Sequence, residues 1–280
     1  MRFTPANGAL GADVHGIDLS RPLTAQQAKA IRQGLNRHQV LFFREQPILT
    51  KSQQLDLARN FGDPEPPPFH NQGQGKPVLD LDQTDPRGSQ AANFHSDNTF
   101  RPEPPIGALL QAHMLPARGG DTCFASTHAA YEGLSKPMQK FLAGLEAWHS
   151  LAQMAARLSR QGGPPLALDM SQFPPIKHPV IALHPFTRRK LLNVNYNWTT
   201  HIDGIPAAES TAILDFLYGH IRSPEFQVRL DWQVGDIAFW DNRATQHYAV
   251  PDYRERRVMQ RVSILLPAAG RRNGSSGGQV

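Results

Sequence analysis

The 280-residue sequence is almost without cysteine: Cys123 stands alone. That excludes an internal disulfide framework and any zinc site built on paired thiolates. A lone cysteine is expected to be a small buried apolar residue. Long apolar runs are missing too, so no stretch approaches the roughly 20 residues of a membrane-spanning helix. The opening MRFTPANGAL has no basic segment followed by an apolar one, so no signal peptide is expected. A cytoplasmic location follows as the expectation. No internal repeat is visible, and no βαβ rhythm carries a Gly-rich phosphate loop. Aromatic residues are few at 8%, charged residues reach 19% and hydrophobic residues 40%, as in a soluble globular chain.

Clustered positive charge is also scarce. The net charge is +5 and the pI about 9.6, but the basic residues are scattered. The densest group, RERRVMQR, lies inside an apolar strand-like run, and GRRNGSSGGQV reads as a flexible tail. Without a Lys/Arg stripe, a nucleic-acid partner is not expected.

Proline (24) and glycine (22) are plentiful, which predicts long ordered loops. LTAQQAKAIRQGLNRHQ and LTKSQQLDLARNFG read as helices, opened by the capping boxes Thr24/Gln27 and Thr50/Gln53. Residues 63–77 read as loop. VLFFR, VLDLD, IGALLQAHML, DIAFWDN and RRVMQRVSILL read as strands, and VIALH and KLLNVN as a hairpin. KPMQKFLAGLEAW and AAESTAILDFLYGHI read as amphipathic helices, with the Pro/Gly-rich stretch 159–179 between them. Strands dominate the middle and end of the chain. The expected fold is mainly β with α: an antiparallel jelly-roll core with surrounding helices.

One motif stands out: NFHSDNTF, with His95 and Asp97 two apart. The triplet alone is weak, because chance gives about one His-x-acid triplet at this composition, and His201-Ile202-Asp203 is a second. The latter runs into Gly204 and Pro206 and reads as a turn or helix entry. On an extended strand His95 and Asp97 point the same way. His247, in DNRATQHYAVPDY, is the best candidate for a third ligand. Two imidazoles and one carboxylate on one face suit a non-haem ferrous ion with open positions for co-substrate and oxygen. Further on, Arg257, Met259 and Arg261 share one face of a strand. Burying two arginines there is costly without anions to meet them. A 2-oxo dicarboxylic acid, chelating metal at one end and lying on an Arg fork at the other, would satisfy one of them.

In order and spacing, His95-x-Asp97, Thr122 in GGDTCFAS, His247, Arg257 and Arg261 resemble the taurine dioxygenase (TauD/TfdA) family of iron(II)- and 2-oxoglutarate-dependent enzymes. The resemblance runs from GALGADVHGIDLS to RVSILLP. It implies one double-stranded β-helix domain over residues 1–270, with 271–280 as a flexible tail. It implies that His95, Asp97 and His247 hold iron(II). Thr122 and Arg257 would hold the distal carboxylate of 2-oxoglutarate. Arg261 would lie near the chelating end and the primary substrate. Oxygen is the second co-substrate, succinate and carbon dioxide the by-products, and a homodimer or homotetramer the assembly. Asp97 itself favours oxygenation, since halogenating relatives lack that acid.

The pattern departs from the taurine-specific members. They meet the sulfonate with a histidine shortly after the Phe-Gly-acid-Pro turn, and here that place is Pro67. Their next contact falls on His70 or Phe69. The pocket expected is more apolar, with Phe69, Leu151, Phe94 and Trp198 as walls and His70, Asn93 or Arg261 for polar contacts. A small anionic substrate other than taurine is expected. A zinc hydrolase on the same triad and a non-catalytic jelly-roll binding protein are the rivals. The first has no need of the Thr122/Arg257 clamp, and the second no need of a complete ligand set.

Overall fold

The computed structural model describes residues 1–66, 76–86, 89–160 and 170–267. The first strands are β1 (Arg2–Pro5), β2 (Ala12–His15) and β3 (Val40–Phe43), with helix α1 (Ala25–His38) before β3. Helix α2 (Lys51–Arg59) precedes β4 (Asp63–Glu65), β5 (Val78–Gln83), β6 (Gly107–Met114) and β7 (Thr122–Ser126). Then come α3 (Thr127–Glu132), α4 (Lys136–Leu142), β8 (Glu146–His149) and α5 (Leu151–Arg160). Four short strands follow: β9 (Ile176–Pro179), β10 (Ile181–Leu183), β11 (Lys190–Leu192) and β12 (Thr199–Ile202). The described chain ends with α6 (Ala207–Ile221), β13 (Gln227–Leu230), β14 (Ile237–Asp241), β15 (Thr245–Ala249) and β16 (Arg257–Leu265).

Two sheets make the jelly roll. The larger runs β1-β2-β3-β14-β6-β16-β4, with β5 also paired to β16. The smaller is β13-β7-β15. Side-chain alternation decides what each face buries. Val40 and Phe42 of β3, Ala238 and Trp240 of β14, and Ala108 and Leu110 of β6 point inward and meet Phe124 and Leu230 of the smaller sheet. Leu41, Phe43, Ile237 and Phe239 point outward and are covered by Ile31 and Leu35 of α1 and Leu57 and Ala58 of α2. A strand buried on both faces needs no polar residue, which is why VLFF and IAFW are unbroken apolar runs. Trp240 sits opposite Ala108, so a large inward side chain is matched by a small one.

The helices that cover this sheet begin as their sequences dictate. Thr24 Oγ1 accepts from Gln27 N–H at 3.2 Å while Gln27 Oε1 accepts from Thr24 N–H at 2.9 Å, and Thr50 and Gln53 repeat the exchange. Such a cap stabilises a helix by about 1 kcal/mol. The single cysteine, Cys123, is buried on β7.

Four expected features differ. KPMQKFLAGLEAW is not one helix: α4 stops at Leu142, Gly144 turns the chain at φ +84°, and β8 begins at Glu146. Asp63–Glu65, expected as loop, pairs with β16 at the sheet edge, where Pro64 is tolerated. The stretch 159–179 contains the end of α5 and the whole of β9, while 161–169 lies outside the described residues, as do Phe69, His70 and the 271–280 tail. His201-Ile202 closes β12 and the turn toward α6 begins only at Asp203, which accepts from Trp148 Nε1 (2.8 Å) and Lys177 Nζ (2.7 Å). His201 and Asp203 are thus committed to surface contacts. No described helix is long and apolar enough to cross a membrane.

Candidate metal centre

His95 lies in the segment leading from a short 3₁₀ turn, Gln90–Ala92, to β6. It docks on the free edge of β15 by exchanging both backbone hydrogen bonds with His247, at 3.1 and 2.8 Å. This one-residue bridge brings two imidazoles from distant parts of the chain side by side, with ring centroids 4.4 Å apart. Asp97, two residues on, joins them. Its Oδ1 is 3.6 Å from His95 Nε2 and 3.7 Å from His247 Nε2. All three residues are buried, and their ligand atoms lie within 4.8 Å of one another. Among the described residues no other group of three His, Cys, Asp or Glu meets that test.

The surroundings fix the donor atoms. The Asn93 carbonyl accepts from His95 Nδ1 at 2.7 Å, so the Nε2 lone pair is left for the centre. Asn242 Oδ1 accepts from Asp97 N–H at 2.7 Å, and Asn242 Nδ2 donates to the carbonyls of Asp97 (3.0 Å) and Pro105 (2.9 Å). Arg261 donates to Asp97 Oδ2, leaving Oδ1 toward the histidines. Burial alone would raise the Asp97 pKa, but Arg261, His247 and His95 outweigh it and keep the carboxyl ionised well below the usual range. Burial pulls His247 down to about 3, only partly opposed by Asp97, so its imidazole is neutral. Two imidazoles and one carboxylate form the donor set of a ferrous or zinc ion.

Beside this centre lies an unmatched cation. The inner face of β16 carries Arg257, Met259 and Arg261, as the period of two requires, and Val262 and Ile264 face the helices. Arg257 is only 5% exposed, and its Nε and Nη2 have no hydrogen-bond partner. The acid that acts on it, Asp121, is itself paired with Arg229 at 2.5 Å. Burial lowers the Arg257 pKa, and Tyr253 and Asp121 only partly oppose it. Gly120 makes the space: at φ +77° it passes so close that a Cβ would stand 3.0 Å from Arg257 Cδ. On β7, buried Thr122 accepts from Trp232 Nε1 at 3.0 Å, which leaves its hydroxyl hydrogen to donate. Arg261 lies over Trp240 at 5.4 Å, and its Nε is likewise buried without a partner. Buried guanidinium donors of this kind call for an oxyanion. The residues present therefore fit a divalent metal and a dicarboxylate.

The expected pocket walls are placed differently. Trp198 and Leu151 are 1% and 0% exposed and pack with Phe100 and Met154 in a separate apolar cluster. Trp198 Nε1 donates to the Ser96 carbonyl at 2.8 Å. Asn93 contributes its backbone carbonyl to His95, and Phe94 packs on Tyr248 at 5.1 Å. Asn242, Trp232 and Gly120 were not expected to matter. Their only mark in the sequence is their place beside strand ends in WDNR, DWQ and GGDT.

Comparison with known proteins shows the family. The family described as "Taurine catabolism dioxygenase TauD, TfdA family" matches residues 2–263. An α-ketoglutarate-dependent sulfate ester dioxygenase of Pseudomonas putida is 35% identical over 267 residues, covering 93% of this chain and 88% of the relative. The α-ketoglutarate-dependent 2,4-dichlorophenoxyacetate dioxygenase of Cupriavidus pinatubonensis is 30% identical, covering 93% and 96%. The crystal structure of AAD-2 in complex with Mn(II) and N-oxalylglycine superimposes with a TM-score of 0.81 at 29% identity, over 94% of this chain and 96% of that one. The chain belongs to the TauD/TfdA family of 2-oxoglutarate-dependent dioxygenases.

Proposed function

We propose that the protein uses iron(II), oxygen and 2-oxoglutarate to oxidise a small organic anion other than taurine, with sulfate esters and aryloxyalkanoates as the first classes to test. The observation that carries this is the buried His95–Asp97–His247 cluster beside a buried Arg257 with unpartnered donors. A hydrolase on the same donor set would have no use for that guanidinium. Ferrous iron held by the three side chains would supply the redox chemistry, with one oxygen atom going to succinate and the other to the substrate.

The chain supplies position and charge. His95 and His247 present their Nε2 atoms, and Asp97 a carboxylate that Arg261 keeps ionised. Arg257 and the Thr122 hydroxyl would take the distal carboxylate of 2-oxoglutarate. The N-oxalylglycine bound by AAD-2 is likewise a 2-oxo diacid, which supports that assignment. Arg261, over Trp240 and against Asp97, would meet the acid group of the substrate. The indole and phenyl walls (Trp240, Phe124) exclude water around the ligands. A homodimer or homotetramer goes with this reading, drawn from the family resemblance, and a cytoplasmic location with the sequence's want of a signal peptide or membrane span.

The test is succinate release over a panel of alkyl sulfates, aryloxy acids, alkyl sulfonates and taurine. Substrate-dependent succinate with a sulfate ester or aryloxy acid is the expected result. Turnover fastest with taurine, or none that needs 2-oxoglutarate, would overturn the proposal.

A further inference from the structure

We propose that Trp198 is a positioning residue for the metal centre, acting through its indole N–H on the backbone between two of the ligands. This rests on His95, Asp97 and His247 being the metal ligands. Ser96 stands between His95 and Asp97, and its carbonyl accepts from Trp198 Nε1 at 2.8 Å. His95, the Ser96 hydroxyl and Asp97 have anchors elsewhere. His95 bridges to His247, Ser96 Oγ donates to the Thr245 carbonyl at 2.7 Å, and both backbone groups of Asp97 are held by Asn242. The Ser96 carbonyl hangs on the indole.

Both ends of Trp198 grip this segment. Its ring packs on Phe100 at 4.9 Å between centroids, in one cluster with Leu151 and Met154. Its backbone N–H donates to Asn195 Oδ1 at 3.2 Å, and Asn195 Nδ2 donates to Thr99 Oγ1 at 2.9 Å. The ring is 1% exposed, so it cannot serve mainly as a wall for a mobile ligand. Phenylalanine would keep most of the packing but supply no donor. The buried Ser96 carbonyl would then lose its partner, and the 96–97 peptide could turn to recover one. Asp97 would move relative to His95, and the donor set would open.

The test is a Co(II) titration of the full chain without 2-oxoglutarate, reading affinity and the ligand-field bands. Trp198→Phe is the first variant. Replacing Trp198 with its benzothienyl isostere, in which sulfur takes the place of the N–H, is the second and keeps the ring's volume. Each is expected to weaken Co(II) binding about tenfold, as loss of a partner behind a metal ligand does, and to change the band intensities. Met154→Ala opens the same cluster but leaves the N–H in place, so it should lower Tm without altering the bands. If either Trp198 variant folds and binds Co(II) with wild-type affinity and spectrum, the inference is overturned and the ligand assignment stands. If the wild-type bands are absent, or persist in His247→Ala, the ligand assignment falls and the inference with it.

Discussion

Gly120→Ala tests the co-substrate clamp without touching a ligand. Gly120 sits at φ +77°, where an L-residue costs about 1–2 kcal/mol. Its new Cβ would stand 3.0 Å from Arg257 Cδ, 3.1 Å from Arg257 Nε and 3.3 Å from Tyr253 Cδ1. Relief requires the guanidinium to shift by a few tenths of an ångström, away from where the distal carboxylate of 2-oxoglutarate is expected. Backbone strain alone should lower Tm by about 2–8 °C. The displaced guanidinium should also raise KM for 2-oxoglutarate about tenfold, equivalent to ~1.4 kcal/mol and the low end of a charge-assisted hydrogen bond. Gly204→Ala separates the two effects. Gly204 has φ +72° but nothing within 4 Å of its Cβ position. It should lose similar stability with KM unchanged. Thermal melts and succinate kinetics at varied 2-oxoglutarate measure both. If Gly120→Ala loses stability yet keeps its wild-type KM, Arg257 does not hold the co-substrate.

Two further outcomes follow from the same geometry. His149 is buried between the hydroxyls of Thr99 (2.9 Å) and Thr199 (3.3 Å), and burial, helped by His178, pulls it down to about 3. It stays neutral when folded but takes a proton at about 6.5 when unfolded, so stability is lost as pH falls below 6.5 toward 3. At pH 5 the loss is about 2 kcal/mol. Urea melts at pH 7 and pH 5 should show a smaller difference in His149→Gln by that amount, and an unchanged difference would count against the assignment. Asn242→Ala leaves the Asp97 N–H and the Asp97 and Pro105 carbonyls without their partner. Metal affinity by calorimetry should fall about 10- to 100-fold, with His95 and His247 intact, and wild-type affinity would refute the role given to Asn242.

Local features of the fold were legible where a local rule governs them. The capping boxes at Thr24 and Thr50 follow from a three-residue spacing, the unbroken runs of β3 and β14 from burial on both faces, and the shared face of Arg257, Met259 and Arg261 from a period of 2. Helix and strand were confused where one break decides: Gly144 separates α4 from β8, and the run on either side is too short to show its own period. The family likeness, spread over 2–263, carried the site further than any single motif. What stayed hidden is long-range. The His95–His247 bridge spans 152 positions of sequence, the Asn242–Asp97 bond 145 and the Trp198–Ser96 bond 102. A tryptophan's ring suggests a pocket wall in sequence. Only the fold shows that its N–H is spent on the backbone of the metal segment.

The most direct measurement is anaerobic absorption spectroscopy. Iron(II) and 2-oxoglutarate added together to the protein should give a visible metal-to-ligand charge-transfer band. It should vanish in His247→Ala and require more 2-oxoglutarate in Arg257→Ala. No band with the wild-type chain, or an undiminished band in His247→Ala, would contradict the assignment of His95, Asp97 and His247 to iron.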